Sequence, residues 1–279
     1  MKPPAGQMRQ RHPHNWSDHF VATRPATGLP PGATPYQPVN DLLAAIGFLT
    51  TIPVPARAQR APLSRMASWF PIAGLVVAAP VVAVLWLPLE AQVRAWLALA
   101  AWVAMTGGLH LDGLADTADA AMAAVPRQRR QEILHDVHAG TWAVVALIFV
   151  LLGKWILLAS PRLPAAAICL APLLARAFAP LWMAIAPPQP GSQLGQAARP
   201  GRAAAMIAAS SGVALATTSG LMGILPWSHL LRVVAVTLLT GLSLMLVLHH
   251  RLGGFGGDAT GATIECCELA ALAALTLLG

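Results

Sequence analysis

The sequence predicts an all-α, polytopic integral membrane bundle of about seven transmembrane helices, within a range of six to eight. Three observations carry that prediction. Hydrophobic residues make up 56% of the 279 and charged residues only 10%, against about 25% charged residues in a soluble domain. Mean hydropathy is +0.62. From Asp41 onward, apolar runs recur at lengths near the ~20 residues that cross a bilayer, and arginines gather in alternate connections between them.

Residues 1–40 differ in kind, being rich in Pro, Gly, Arg and His with no continuous apolar run. They are not a secretory signal, which needs an apolar core of about 7–15 residues, and are expected to form a disordered, mildly basic tail. Residues 41–279 are expected to be a single transmembrane domain. Leu42 to Pro55 is too short to cross, and Pro53 and Pro55 end it, so it reads as interfacial or re-entrant. The candidate spans are Ala67 to Leu87, Ala95 to Leu109, Trp142 to Ala159, Leu163 to Ala186, Ala203 to Leu225, Leu230 to His249 and Ile264 to Leu278. The second and last are short. No internal repeat supports a transporter built from inverted halves. Cys169, Cys266 and Cys267 match neither a zinc spacing nor a disulfide framework and read as small apolar side chains.

With the N-terminus inside and seven spans, the inside segments hold Arg57, Arg60 and Arg65, then Arg127, Arg129 and Arg130, then Arg199 and Arg202, then Arg251; outside loops hold only Arg94, Arg162 and Arg232. This parse puts every unusual polar segment on the cytoplasmic face: the acids after Gly107, the stretch Pro187 to Pro200 and the glycines from Gly253 to Gly261.

The most informative segment is Gly107-Gly-Leu-His-Leu-Asp-Gly-Leu-Ala-Asp-Thr-Ala-Asp. If it is helical, Asp112, Asp116 and Asp119 stand four and then three residues apart and share a face. Like charges at those spacings repel, so water, a basic partner or a cation must neutralise them, and a hard divalent ion is the economical choice. The alternative is a set of solvated loop carboxylates with one Asp at a helix N-cap.

A second constellation runs from Arg251 to Glu268, with five glycines within nine residues. Gly254, Gly257 and Gly261 are candidates to let backbone amides approach phosphate oxygens, or else belong to a plain flexible turn. Asp258, Glu265 and Glu268 follow at spacings of seven and three and would share a face of a helix that starts near Asp258, a candidate catalytic acid; Glu265 and Glu268, at the start of an apolar span, read as functional, here as metal ligands, unless the acids merely favour a helix N-terminus. Between the two lies Glu132-Ile-Leu-His-Asp-Val-His-Ala-Gly-Thr-Trp. Asp136 is a further metal ligand or general base, and Arg130, in the preceding basic run, is a phosphate contact or a topology signal. His135 and His138 invite a zinc reading, but without cysteines and with many oxygen donors magnesium fits better. Two cations fall inside spans. Lys154 reads as snorkelling, and Arg176, flanked by Pro172 and Pro180, as an anion contact lining a cavity in a broken helix.

The stretch Gly107 to Asp119 resembles the signature of the adenosylcobinamide-GDP ribazoletransferase, or cobalamin synthase, family. Phe48-Leu-Thr-Thr-Ile-Pro-Val-Pro, Glu132-Ile-Leu-His-Asp and Gly253 to Glu268 support the resemblance, in the same order over residues 41–279. It implies a transmembrane catalytic domain in the bacterial inner membrane, with its site facing the cytoplasm. The implied reaction joins α-ribazole, or its 5′-phosphate, to adenosylcobinamide-GDP with Mg²⁺, releasing GMP. Asp112, Asp116 and Asp119 would bind metal, with Asp136, Asp258, Glu265 and Glu268 completing the site, and His110 and Arg176 would contact substrate. The implied partners are these small molecules and membrane lipid; no nucleic acid is expected, and a homo-oligomer is compatible with the pattern.

Three positions, in two segments, depart from the family pattern. Asp136 is usually followed by Ser-Arg-x-Gly, where this chain has Val137, His138, Ala139 and Gly140, and Gly256 stands where a Thr is usual. Two alternatives stay open. A CDP-alcohol phosphotransferase would need Asp-Gly-x-x-Ala-Arg, but Asp116 follows Ala115; a cation-coupled transporter would give metal-dependent flux without GMP release.

Overall fold

A computed structural model describes residues 37–189 and 199–277. The expected N-terminal tail and most of the Pro187 to Pro200 stretch lie outside the described residues. Gln37–Gly279 is one compact unit. Among the described residues it is helical throughout, without a β-strand. We number the helices α1 (Pro38–Leu49), α2 (Leu63–Met66), α3 (Phe70–Leu85), α4 (Ala91–Thr106), α5 (Leu109–Met122), α6 (Arg127–Ile133), α7 (Thr141–Leu158), α8 (Leu170–Ile185), α9 (Arg202–Leu221), α10 (Trp227–Leu252) and α11 (Gly257–Leu277).

Six of these segments are long and apolar enough to cross a membrane, or seven if α4 and α5 count as one span, bent by 88°. The bend sits at Gly107 and Gly108, with φ of 62° and 72°, a left-handed pair of residues that side chains with a Cβ adopt only at a cost. The predicted second span therefore ends at Thr106, and the helix carrying the acids turns away across it. Thr51 secures this corner. Its amide donates to Met105 O at 2.8 Å and its hydroxyl to Ala104 O at 3.1 Å, satisfying two carbonyls at the end of α4.

The outward faces are apolar. On α7, Val144, Ile148, Phe149, Leu152 and Ile156 are exposed, while Ala143, Val150 and Lys154 point inward. An exposed stripe of that kind suits lipid, not water. Two helices form the centre: α8 and α11 are 72% and 78% buried along their apolar windows, against 28% for α7 and α10. Small residues bring neighbours close to α8. A Cβ on Gly74 would stand 2.4 Å from Pro172 O, and one on Gly212 would stand 2.3 Å from Ala177 Cβ. Glycine is required at both crossings. The helix α8 runs continuously through Pro180, so the broken helix expected around Arg176 does not occur.

The polar segments gather at one end of the bundle. The end of α4, both ends of the α6 connection, the start of α7, the Pro187–Gln189 segment and the start of α11 all meet there. At the opposite end, Leu85, Arg94, Leu158 and Ser160 line a small notch.

Candidate active site

The acids of α5 meet the start of α11 because two glycines let the helices touch. A Cβ on Gly113 would stand 2.9 Å from Asp258 O, and one on Gly261 would stand 3.3 Å from the His110 Cα. That contact puts Asp112, Asp116 and Asp258 in one group. The charges acting on Asp116 are those of Asp112, Asp258 and Asp119, all of one sign, while Asp258 also faces His135. Asp112 is exposed and Asp116 and Asp258 are half-buried. None of the three forms an ion pair among the described residues.

This donor set suits a hard divalent cation: it offers only oxygen ligands, in mutual repulsion, on the polar end of the bundle. It is not a finished cage, since among the described residues no three His, Cys, Asp or Glu side chains converge to hold an ion. Magnesium sites commonly have this character, with one or two carboxylates completed by waters and substrate phosphates.

Asp119 does something else. Its Oδ1 accepts from the Ala143 amide at 2.9 Å and its Oδ2 from the Gly140 amide at 2.5 Å. The carboxylate thus satisfies free amides at the start of α7 and faces the positive end of its dipole. A Cβ on Gly140 would stand 2.7 Å from Asp119 Oδ1, so the close approach needs glycine there. Beside it lies a groove of about 430 Å³ lined by Asp119, Ile133, Asp136, His138, Gly140 and Trp142 among others. Asp136 is exposed on its rim; its Oδ1 accepts from the His138 amide at 3.0 Å and lies 2.7 Å from His138 Nδ1. Hydrogen bonds from the His138 ring and then its amide hold the Asp136 carboxyl below the usual carboxylate range.

Residues 41–276 match the model of the family described as cobalamin-5-phosphate synthase. The chain belongs to that family. A relative from Thiobacillus denitrificans named adenosylcobinamide-GDP ribazoletransferase is 40% identical over 84% of this chain and 94% of its own length. Relatives of the same name from Sinorhizobium medicae and Pseudomonas aeruginosa are 34% and 36% identical, covering 85% and 86% of this chain and 96% and 98% of their own. No solved structure matches. These matches name neither a CDP-alcohol phosphotransferase nor a transporter.

Within this synthase-family chain several expected site residues stand apart from the three acids. Glu265 and Glu268, expected as metal ligands, lie deeper on α11. Lys154 Nζ donates to Glu265 Oε2 at 2.7 Å and also to Glu268 Oε2, and Arg176 Nη1 donates to Glu268 Oε1. All four are buried. Arg176, expected to meet an anionic substrate, is 0% exposed, with its Nη2 3.4 Å from His110 Nδ1. His110, a candidate substrate contact, is likewise buried beneath the acids. Lys154 does not snorkel; it stands 4.7 Å from the Trp102 ring centroid.

Arg130 closes a helix. Its Nε donates to Ala123 O at 3.2 Å and its Nη1 to Arg251 O at 3.3 Å, while Arg127 donates to His249 O and His250 O and Gln131 to Leu252 O. The basic run thus satisfies the last carbonyls of α10. The glycines serve backbone packing as well. A Cβ on Gly254 would stand 2.2 Å from Gln189 Cα and one on Gly256 would stand 2.6 Å from Gln189 Oε1, and the Phe255 amide donates to Pro187 O at 2.9 Å. Gly257 opens α11 half-exposed beside Asp258, and Gly261 is buried against His110. Gln189 and Gln131, hydrogen-bonded at 3.0 Å, carry no signal in the sequence that marks them.

Proposed function

We propose that this chain joins α-ribazole, or its 5′-phosphate, to adenosylcobinamide-GDP and releases GMP, giving adenosylcobalamin or its phosphate as the last step of nucleotide-loop assembly. A ribose hydroxyl of the ribazole attacks the phosphorus esterified to the corrinoid. A new P–O bond forms, the P–O bond to GMP breaks, and the hydroxyl proton passes to a carboxylate or to water. What supports this reading is one observation: in a chain of this family, three carboxylates that form no ion pair among the described residues lie near one another at the polar end of the bundle.

Asp112, Asp116 and Asp258 would hold Mg²⁺. When bound, the ion would neutralise charge building on the phosphoryl oxygens and on the leaving group. Asp119 would orient the groove wall through the start of α7. Asp136, held anionic by His138, is a weak proton acceptor by Brønsted reasoning and suits electrostatic or ligand duty better than general-base duty. We assign the protein to the bacterial inner membrane with these acids facing the cytoplasm, on the arginine distribution. Its net charge of +7 favours anionic lipid, and a homo-oligomer is compatible with the reading.

The test is GMP release from adenosylcobinamide-GDP by membranes containing the native chain or Asp116→Asn, with α-ribazole and Mg²⁺, with and without chelator. Release should require ribazole and metal and fall about 10³-fold in the variant, the scale of losing one electrostatic stabiliser. Ribazole-dependent release that survives both chelator and Asp116→Asn would remove the metal and the α5 acids from the reading. No release by folded native protein would remove the reaction.

A further inference from the structure

We propose that the buried network of Lys154, Glu265, Glu268, Arg176 and His110 is a positioning device that sets the register of α5 against α11, so that Asp112 and Asp116 meet Asp258. The proposal rests on the reading of those acids as the metal-holding group.

The network joins four helices: His110 on α5, Lys154 on α7, Arg176 on α8, and Glu265 with Glu268 on α11. These are the helices that build the site: α5 and α11 carry the three acids, α7 receives Asp119 at its start, and α8 is the centre against which the others pack. Two cations face two carboxylates, so the network is balanced without a metal. Each charged group is at most 3% exposed, and an apolar contact could not dictate position as these bonds do. Apolar faces tolerate small sliding, whereas a buried charge moved off its partner loses both its bond and its solvation. Glu265 lies seven residues after Asp258, about 10 Å along the helix at 1.5 Å per residue. His110 precedes Asp112 by two residues. A sliding or rotation of α11 against α5 at the network is therefore transmitted to the acids within two turns.

Burial of an ion pair does not by itself argue for stability, because well-packed apolar replacements are often neutral or stabilising. That fact makes positioning separable from folding. The experiment replaces the pair that ties α5 to α11 by apolar residues, Arg176→Met with Glu268→Leu, leaving Lys154 on Glu265. Three quantities are measured on the full-length protein in detergent: the melting temperature, Mn²⁺ affinity by electron paramagnetic resonance, and kcat and KM for GMP release. The expected result is an unchanged or higher melting temperature, Mn²⁺ affinity weakened at least tenfold, and kcat lowered about 10- to 100-fold with KM within twofold, as expected for a sub-ångström to ångström misplacement. Arg176→Gln with Glu268→Gln, which keeps a polar pair, should fall between this variant and native. It also serves as the test protein if the apolar pair does not fold.

A folded variant with native Mn²⁺ affinity and native kcat overturns the proposal while leaving the function reading intact. Native protein that binds Mn²⁺ through Asp116, loses that affinity in the network variant and releases no GMP keeps the positioning and overturns the function reading. Native protein without Mn²⁺ binding overturns the positioning claim, since there is no metal group to position.

Discussion

Two groups of charges stand near each other in this molecule and obey opposite rules. In the buried network every carboxylate has a cation: Lys154 bridges Glu265 and Glu268, and Arg176 holds Glu268 from the other side. On the polar end Asp116 faces Asp112, Asp258 and Asp119, and Asp258 faces His135 and Asp112, with no ion pair to Asp112, Asp116 or Asp258 among the described residues. The first group is solved by the protein itself. The second has no such ion pair among the described residues, and like charges facing one another on the accessible end of a bundle suit a cation and its anionic ligand, as proposed above. Compensation, more than burial or residue type, separates the structural acids from those fit for chemistry.

The largest expected effect breaks the compensated side. Glu268→Gln leaves both Lys154 and Arg176 short of charge at a site where Glu268 is 0% exposed, and should cost about 3–5 kcal/mol of stability, the usual result of removing one partner from a buried pair. Asp112→Asn removes an equally acidic side chain from the uncompensated side and should change stability by no more than about 0.5 kcal/mol, in the favourable direction, because it relieves a like-charge contact. Thermal unfolding of both variants without metal tests the pair. Equal losses would mean that the three acids have a partner of their own.

A middle-sized effect sharpens the boundary between the groups. Asp119 belongs by sequence to the α5 acids, yet its oxygens accept from Gly140 and Ala143. Asp119→Ala should cost about 1 kcal/mol, as for the loss of an N-capping side chain, and Mn²⁺ affinity should fall less than in Asp116→Asn. An affinity loss as large as that of Asp116→Asn would return Asp119 to the metal group.

The same contrast explains what could be read without the structure. The shared face of Asp112 and Asp116 follows from helical spacing, and the spans follow from composition, so both were legible. The right-angle turn at Gly107 and Gly108 was not, because adjacent glycines permit a left-handed corner without requiring one. Glu265 and Glu268 read as ligands because their partner Lys154 is more than a hundred residues away, 111 positions from Glu265, and no local rule brings the two together. The partners of Arg130 escape the sequence for a related reason. They are backbone carbonyls at the end of α10, and a carbonyl has no residue type to announce it.

The smallest effect concerns the exposed limit of the comparison, where compensation is present but water screens it. Asp136 is paired with His138 on the rim of the groove, and that pairing lowers its pKa in the folded chain. A depressed carboxylate contributes stability above its unfolded value, about 3.9 for Asp, and loses that contribution as pH falls through the folded value. At neutral pH the contribution is fully present, so Asp136 adds no pH dependence to GMP release between about pH 6 and 8. In His138→Ala the carboxyl should return toward its ordinary range, and acid should then loosen the Asp136–Gly140 loop at a higher pH than in the native chain. Amide hydrogen exchange of that loop across the acid range reads the shift directly. Identical acid profiles for the two proteins would mean that His138 does not hold Asp136 in solution, and the groove's rim would then be set by Asp119 and Gly140 alone.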